Sequence, residues 1–338
     1  LREVVAVGPC APPWPHSVSR WVNGTRVRQE VSLDQALAGA EAVIERRHHG
    51  ADDRIRVFIT PFTIVPSLLS NGPTPPDVGA VLSAHDREQA RRVRLIAQKY
   101  GTRIHSDAFG GMIKLAAQDE YGLLGPDVHL QHCHGLSVEE VRLLAETDTR
   151  VGHSPGPSLT RCPVPELMEA GVTVAVVTDG TSPRQSFDLF QAMRRAQLLQ
   201  QVHFANRAYL PVGKLIEMVT IDAARALGWE DELGSLEAGK KADVIVLNMR
   251  QPHLAPNFMP AHRAVYEAVG NDVETVIVDG KLIMENRRIL TVDEAAILDR
   301  AQEEALALIA RAGLEPHMHR PCWGRVYQTF DHELTFPE

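Results

Sequence analysis

The residues best placed to do chemistry lie in one stretch, from Val128 to Gly180. His132 and His134 end an apolar run, His153 follows another, and the apolar segment 172–177 closes on Thr178, Asp179 and Gly180. Histidines and an aspartate delivered at successive strand ends are how an α/β barrel builds a site at its C-terminal rim. Imidazole and carboxylate suit Zn²⁺, Fe²⁺ and related ions, which lower the pKa of coordinated water from about 15.7 towards about 7. Metal-assisted hydrolysis is the first chemistry these residues suggest.

The elements that must position them alternate along the chain. Strands are expected at Arg2–Val7, Arg54–Ile59, Thr102–His105, Val128–Gln131, Arg150–His153 and Val172–Thr178. Helical spacing of apolar residues fills the intervals: Ser32–Arg47 with Ser32 as N-cap, His85–Tyr100, Val138–Thr147 and Pro163–Ala170. Such alternation implies parallel pairing through right-handed crossovers, hence a barrel or a doubly wound sheet. The proline-rich segment Asn71–Asp77 reads as a rim loop. After Asp179 come helices at Phe187–Gln201 and Pro211–Leu227, then a strand-rich region. There Val273–Met284 reads as a hairpin about Asp279 and Gly280, whose residue types supply the positive φ of a tight turn.

A formal charge of −8 without a lysine or arginine cluster argues against a nucleic-acid partner. No apolar run approaches the ~18–20 residues of a membrane span, and no signal-peptide pattern opens the chain, so a cytoplasmic protein with no membrane partner is expected. Cys10, Cys133, Cys162 and Cys322 are too scattered for a disulfide framework or a thiolate zinc cage. His48, His49, His317 and His319 follow no strand and read as solvated.

The run 234–246 (Gly-Ser-Leu-Glu-Ala-Gly-Lys-Lys-Ala-Asp-Val-Ile-Val), the Asp279-Gly280 turn and the Thr178-Asp179-Gly180 strand end together resemble the amidohydrolase superfamily, in the branch of cytosine, guanine and adenosine-type deaminases and triazine hydrolases. The resemblance runs from about Leu33 to Ile297. It implies a distorted (β/α)₈ TIM-type barrel with a small C-terminal β domain, here divided as 1–230 barrel, 231–290 β domain and 291–338 C-terminal helix and tail. It also implies a divalent metal ion (Zn, Fe, Co or Mn), a small-molecule substrate and a homo-oligomer. Carried over by position, Asp179 is similar to the eighth-strand aspartate that binds metal and moves the water proton. His105 is similar to the fifth-strand metal ligand, and His132 to the sixth-strand histidine at the water, substrate or metal. His153 corresponds to a seventh-strand residue facing substrate. His132 and His134, two apart on a strand, would share a face as a ligand pair does; spacing to His153 and Asp179 favours His132, leaving His134 in a supporting or loop position.

Two departures qualify the resemblance. The family's first-strand His-x-His pair has no counterpart, and the strand count begins near the third barrel strand, so an N-terminal segment or a separate chain is expected to complete barrel and site. Deaminases of this branch also carry a glutamate three residues after the fifth-strand histidine; counted from His105 that place is Ala108, and Asp107 beside it points to the opposite face of the strand. The expected activity is therefore hydrolysis of a non-peptide C–N bond in an amide, carbamate, thiocarbamate or urea. The alternatives are an aminohydrolase or chlorohydrolase of an N-heterocycle, with Asp107 at the substrate, and a non-catalytic binding or scaffold subunit.

Overall fold

The computed structural model describes residues 1–23, 25–69, 81–118, 121–156, 160–180 and 186–318. The first half contains β1 (Glu3–Val7), β2 (His16–Val22), β3 (Thr25–Val31), α1 (Leu33–Arg47), the single turn α2 (Gly50–Asp53), β4 (Ile55–Ile59), α3 (Ala84–Tyr100), β5 (Ile104–Phe109), α4 (Met112–Ala116), β6 (Val128–His134), α5 (Val138–Glu146), β7 (Arg150–His153), α6 (Val164–Glu169) and β8 (Val174–Val176). The second half contains α7 (Leu189–Phe204), α8 (Val212–Val219), α9 (Ile221–Leu227), β9 (Val244–Leu247), α10 (Pro260–Tyr266), β10 (Val273–Val278), β11 (Lys281–Glu285), β12 (Arg288–Ile289), α11 (Glu294–Ala312) and α12 (Glu315–Met318).

Six strands pair in the order β1-β4-β5-β6-β7-β8, every pair parallel, as the alternation of strands and helices predicts. This is a barrel-type α/β sheet six strands wide; a second sheet, β12-β11-β10-β9, is antiparallel and C-terminal. Among the described residues β1 and β8 have no further neighbours and form the edges of the parallel sheet.

Local signals account for the helix starts. Ser32, Ser83 and Ser137 each accept from the backbone three residues on, while Gln35, Asp86 and Glu140 reach back to the N-cap amide, so three βα connections end in reciprocal capping boxes. Asp86 and Glu140 are buried and also hold neighbouring loops: Asp86 accepts from Ser67 N and Oγ, and Glu140 from Ile113 N.

The core lies between these helices and one face of the parallel sheet, where Val57, Ile59, Ile104, Leu130, Val151 and Val174 meet Leu37, Ile44, Val93, Leu144 and Leu167. Strand residues alternate between faces. The opposite face therefore carries Phe58, His105, Asp107, Phe109, His129, Gln131 and Gly152. A Cβ on Gly152 would lie 2.8 Å from His129 Nε2 and 3.0 Å from Gln131 Oε1, so only glycine leaves room for those side chains.

The family-like segments prove to join the two sheets. Arg2, just before β1, donates to Asp243 Oδ2 at 2.6 Å and reaches Asp279 Oδ1 at 3.4 Å, while Asp279 N donates to Asp243 Oδ1 at 2.8 Å. The Asp279-Gly280 hairpin forms as expected between β10 and β11.

Several local expectations change. The helix expected over Pro211–Leu227 is broken at Thr220 (φ −124°, ψ −96°) into α8 and α9. The hairpin β2–β3 was not foreseen; it inserts between β1 and α1. His48 is not solvated: its Nδ1 accepts from Val57 N at 3.0 Å and its Nε2 is buried without a partner, because the end of α1 turns it onto β4. Burial first, then the charges of His49 and Arg56, lowers its pKa to about 4. Cys133 and Cys162 are buried free thiols and Cys10 is exposed. The Asn71–Asp77 loop, Cys322 and His319 lie outside the described residues, as does the side chain of His317. No helix among the described residues is long and apolar enough to cross a membrane.

Candidate functional site

The ends of β5, β6 and β8 bring three polar side chains to one region of the sheet. Asp107 on β5 places Oδ1 3.7 Å from His132 Nε2 on β6. Burial raises the Asp107 carboxyl above the ordinary carboxylate range; the neighbouring His132 opposes this and the charge of Asp179 adds to it. Asp179 follows β8 in a left-handed conformation (φ 61°); its Oδ1 accepts from Gly180 N at 2.6 Å and its Oδ2 from Ser154 Oγ at 3.4 Å.

A backbone irregularity aims His132. Ala108 pairs with His132 but Phe109 pairs with His134, so Cys133 is skipped, and His132 and Cys133 take φ of 71° and 51°. Bulky residues in the left-handed region cost of order 1–3 kcal/mol each and persist only where their surroundings impose them. Here the bulge lays the His132 ring against Phe109, with centroids 5.3 Å apart and planes at 16°. His134 stays beside His132, with ring centroids 5.7 Å apart and planes at 59°, and also approaches β7. Its ring lies 6.3 Å from that of His153, and burial, then the charge of His132, lowers its pKa to about 4. His153 is 1% exposed, neither ring nitrogen has a hydrogen-bond partner, and burial lowers its pKa to about 3.

His105 is placed differently from the other sequence candidates. Its Nδ1 lies 2.9 Å from His129 Nδ1 with the rings stacked 5.0 Å apart, so one nitrogen donates and the other accepts between two neutral rings. Burial is the first cause that lowers their pKa values, to about 4 for His105 and about 3 for His129. In register His105 faces His129, whereas Asp107 faces Gln131 one step nearer the strand ends. Of the expected set, the structure thus gathers His132 and Asp179 around Asp107, sets His153 beside His134, and leaves His105 in a pair of its own. Asp107 was open to recognition as a ligand candidate, because it shares its strand face with His105.

The loop after β4 supplies a residue the sequence analysis passed over. Phe62 is 45% exposed with φ 84°, between buried Pro61 and buried Thr63, and Thr63 forms a bridge to Asp107. Its signal was an aromatic residue directly after a strand ending in Thr60-Pro61. The glutamate position is also resolved: Ala108 is fully buried on the core side, and three residues beyond Asp107 stands Gly110, where any Cβ would collide with the Gly135 carbonyl.

Carboxylate and imidazole donors around one opening suit a divalent ion chemically. Among the described residues, however, no three His, Cys, Asp or Glu side chains converge closely enough to hold one, so at least one further donor would be needed.

The amidohydrolase family model matches residues 80–283, a span that takes in α3 and reaches into β11. A 5'-deoxyadenosine deaminase of Methanosarcina acetivorans is 37% identical over 239 residues, which is 69% of this chain and 52% of the relative. A 5-methylthioadenosine/S-adenosylhomocysteine deaminase of Desulforudis audaxviator is 35% identical over 286 residues, 82% of this chain and 64% of the relative. The chain thus spans between half and two thirds of the length of these relatives. Among solved structures, a zinc-bound adenosine deaminase from Xanthomonas campestris superposes with a TM-score of 0.70 at 22% identity, over 89% of this chain and 64% of the other. The atrazine chlorohydrolase of Arthrobacter aurescens, complexed with zinc, gives 0.68 at 21% identity over 80% and 59%. With its parallel sheet, its second sheet tied through Asp243 and Asp279, and a family match over more than half its length, the chain belongs to the amidohydrolase family.

Proposed function

We propose that the protein is a metal-dependent hydrolase that cleaves an exocyclic C–N bond of a nitrogen heterocycle, with its site at the ends of β5, β6 and β8. The observation that carries this reading is the juxtaposition of Asp107 with His132, with Asp179 close by. The substrate class is supported by the deaminase names of the relatives. Asp107, His132 and Asp179 would contribute to holding the ion once a further donor completes the set, with Asp107 taking the fifth-strand place rather than His105. When bound, such an ion lowers the pKa of water and polarises the bond attacked. Asp179, held at Oδ2 by Ser154, takes the proton of the attacking water and passes it to the departing nitrogen. His132, fixed by Phe109, hydrogen-bonds the atom on which charge develops. Phe62 offers a ring face to a planar substrate, and His153 an unpaired imidazole to its polar groups. The remaining donor would come from polypeptide beside β1 and β8, the edges of the parallel sheet among the described residues.

A second reading is favoured by Ala108 and Gly110. Without a carboxylic acid at either place to protonate a ring nitrogen, an acyclic amide, carbamate, thiocarbamate or urea is the easier substrate. Ammonia release from adenine nucleosides and their 5'-modified forms, compared with hydrolysis of a carbamate and phenylurea panel by metal-loaded protein, separates the two. Turnover confined to the second panel refutes the heterocycle reading. A protein that binds no divalent ion and turns over neither panel refutes both and leaves the binding-subunit alternative.

A further inference from the structure

We propose that Gln89 is a positioning residue: by locking the peptide plane between Pro61 and Phe62 it holds the Phe62 ring in the pose that a planar substrate meets, a role that rests on Phe62 serving as a platform. Gln89 lies in α3 and is fully buried. Its amide uses its acceptor and its donors together. Oε1 accepts from Trp14 Nε1 at 3.3 Å, while Nε2 donates to Pro61 O at 2.8 Å and to Cys10 O at 3.2 Å. An indole N–H only donates and a carbonyl only accepts, so these three partners admit one orientation of the amide.

The bonds act where the backbone is strained. The Pro61 carbonyl and the Phe62 N–H belong to one peptide plane, which turns as a rigid unit. Gln89 Nε2 holds its oxygen, and Thr60 Oγ1 accepts from its N–H at 3.1 Å. Turning that plane changes φ of Phe62, the angle that stands at 84° and that a bulky residue keeps only where its surroundings impose it. Beyond the ring, Ile64 N donates to Asp107 O at 2.8 Å, so the loop is anchored to the strand that carries Asp107. Helix α3 grips the same loop at a second point. Asp86, three residues before Gln89 on the same helix face, accepts from Ser67 N at 2.9 Å and from Ser67 Oγ at 2.7 Å. Cys10 and Trp14 lie in the loop after β1, which runs against the loop after β4 so closely that a Cβ on Gly8 would collide with the Thr60 carbonyl. The exposed ring is thus carried on a loop fixed to α3, to β5 and to the loop after β1, each bond being made within the described residues.

The test compares Gln89→Met, which keeps the side-chain length and removes every bond of the amide, with Phe62→Ala and the double variant. Binding of adenosine and of phenylurea to the metal-loaded protein is measured by calorimetry, with KM and kcat for whichever is turned over. Because Gln89 acts through the ring, Gln89→Met should weaken binding by no more than ring removal does, about 2–10-fold, with kcat nearly unchanged. In the Phe62→Ala background it should add nothing, whereas a merely structural role would act alike in both backgrounds. Should Gln89→Met fail to fold, Thr60→Val frees the other end of the same plane and is expected to weaken binding within the same range. A crystal structure of the folded variant should show Phe62 out of the left-handed region. Unchanged binding, additive losses in the double variant, or a Phe62 φ still near 84° would overturn the proposal. A wild type that binds neither ring would overturn it at the platform rather than at the clamp, since φ of Phe62 still moves in the variant.

Discussion

Asp107 and His132 meet side by side, 3.7 Å apart, across the junction of β5 and β6, while His105, two residues earlier on the same face, is held by His129. On the proposed reading Asp107, one step nearer the strand ends than His105, supplies the fifth-strand contribution to the site. Asp107→Asn is accordingly expected to lower bound zinc well below one equivalent and activity by about 10²–10⁴-fold, the usual range for a group that acts on the reacting atoms. His105→Gln should retain metal. Elemental analysis of both variants decides it, and metal loss confined to the His105 variant would restore His105 as the ligand.

Asp179 lies in an exposed turn and is the proposed proton carrier. Asp179→Ala should therefore abolish turnover while moving the melting temperature little, since surface changes usually stay within about 0.5 kcal/mol. Activity within about tenfold of wild type would remove Asp179 from the mechanism.

Removal of the Phe62 ring should weaken binding of a planar substrate without touching the chemistry. Phe62→Ala is expected to raise KM by about 2–10-fold, from the ~0.5–1.5 kcal/mol that aromatic pairs contribute, with kcat nearly unchanged. An unchanged KM, or a kcat that falls as far as it does in the Asp179 variant, would show that the ring does not serve as a platform.

Gly152→Ala should destabilise the fold by about 1–3 kcal/mol, the usual cost of overpacking, because the new methyl presses on His129 and Gln131 from within the sheet. Thermal unfolding measures this directly. A variant as stable as wild type would mean that His129 moves aside freely.

His48 gives stability a pH dependence of known sign. Folded, it stays neutral down to about pH 4; unfolded, it protonates near 6.5. Between these values the unfolded chain binds more protons, so the His48 contribution is complete above about pH 6.5 and is lost as pH falls towards 4. His129 and His153 act in the same sense, so the useful comparison is with His48→Asn, whose Oδ1 can still accept from Val57 N. The urea midpoint of wild type should drop more between pH 7.5 and 4.5 than that of the variant. Parallel slopes would exclude His48 as a source.

Much of the architecture was already fixed by local chemistry in the chain. Ser32, Ser83 and Ser137 carry their own N-cap signals, the segments ending at Ile59 and His153 read as strands, and Asp279-Gly280 demands a tight turn whatever surrounds it. Alternation of those elements implied the parallel sheet, and residues 234–246 with the Thr178-Asp179-Gly180 strand end pointed to the family. What the tertiary structure alone decided was depth and aim. His105 and Asp107 share a strand face because side chains repeat every two residues, so periodicity cannot say which reaches the rim and which pairs with His129 beneath it. His132 lies flat on Phe109 because the skipped Cys133 bends the strand, a bulge set by pairing with β5. The exposed Phe62, the core-facing Ala108 and the glycine at 110 likewise take their meaning from neighbours distant in sequence, such as Asp107 and Gly135, which only the packed sheet brings within reach.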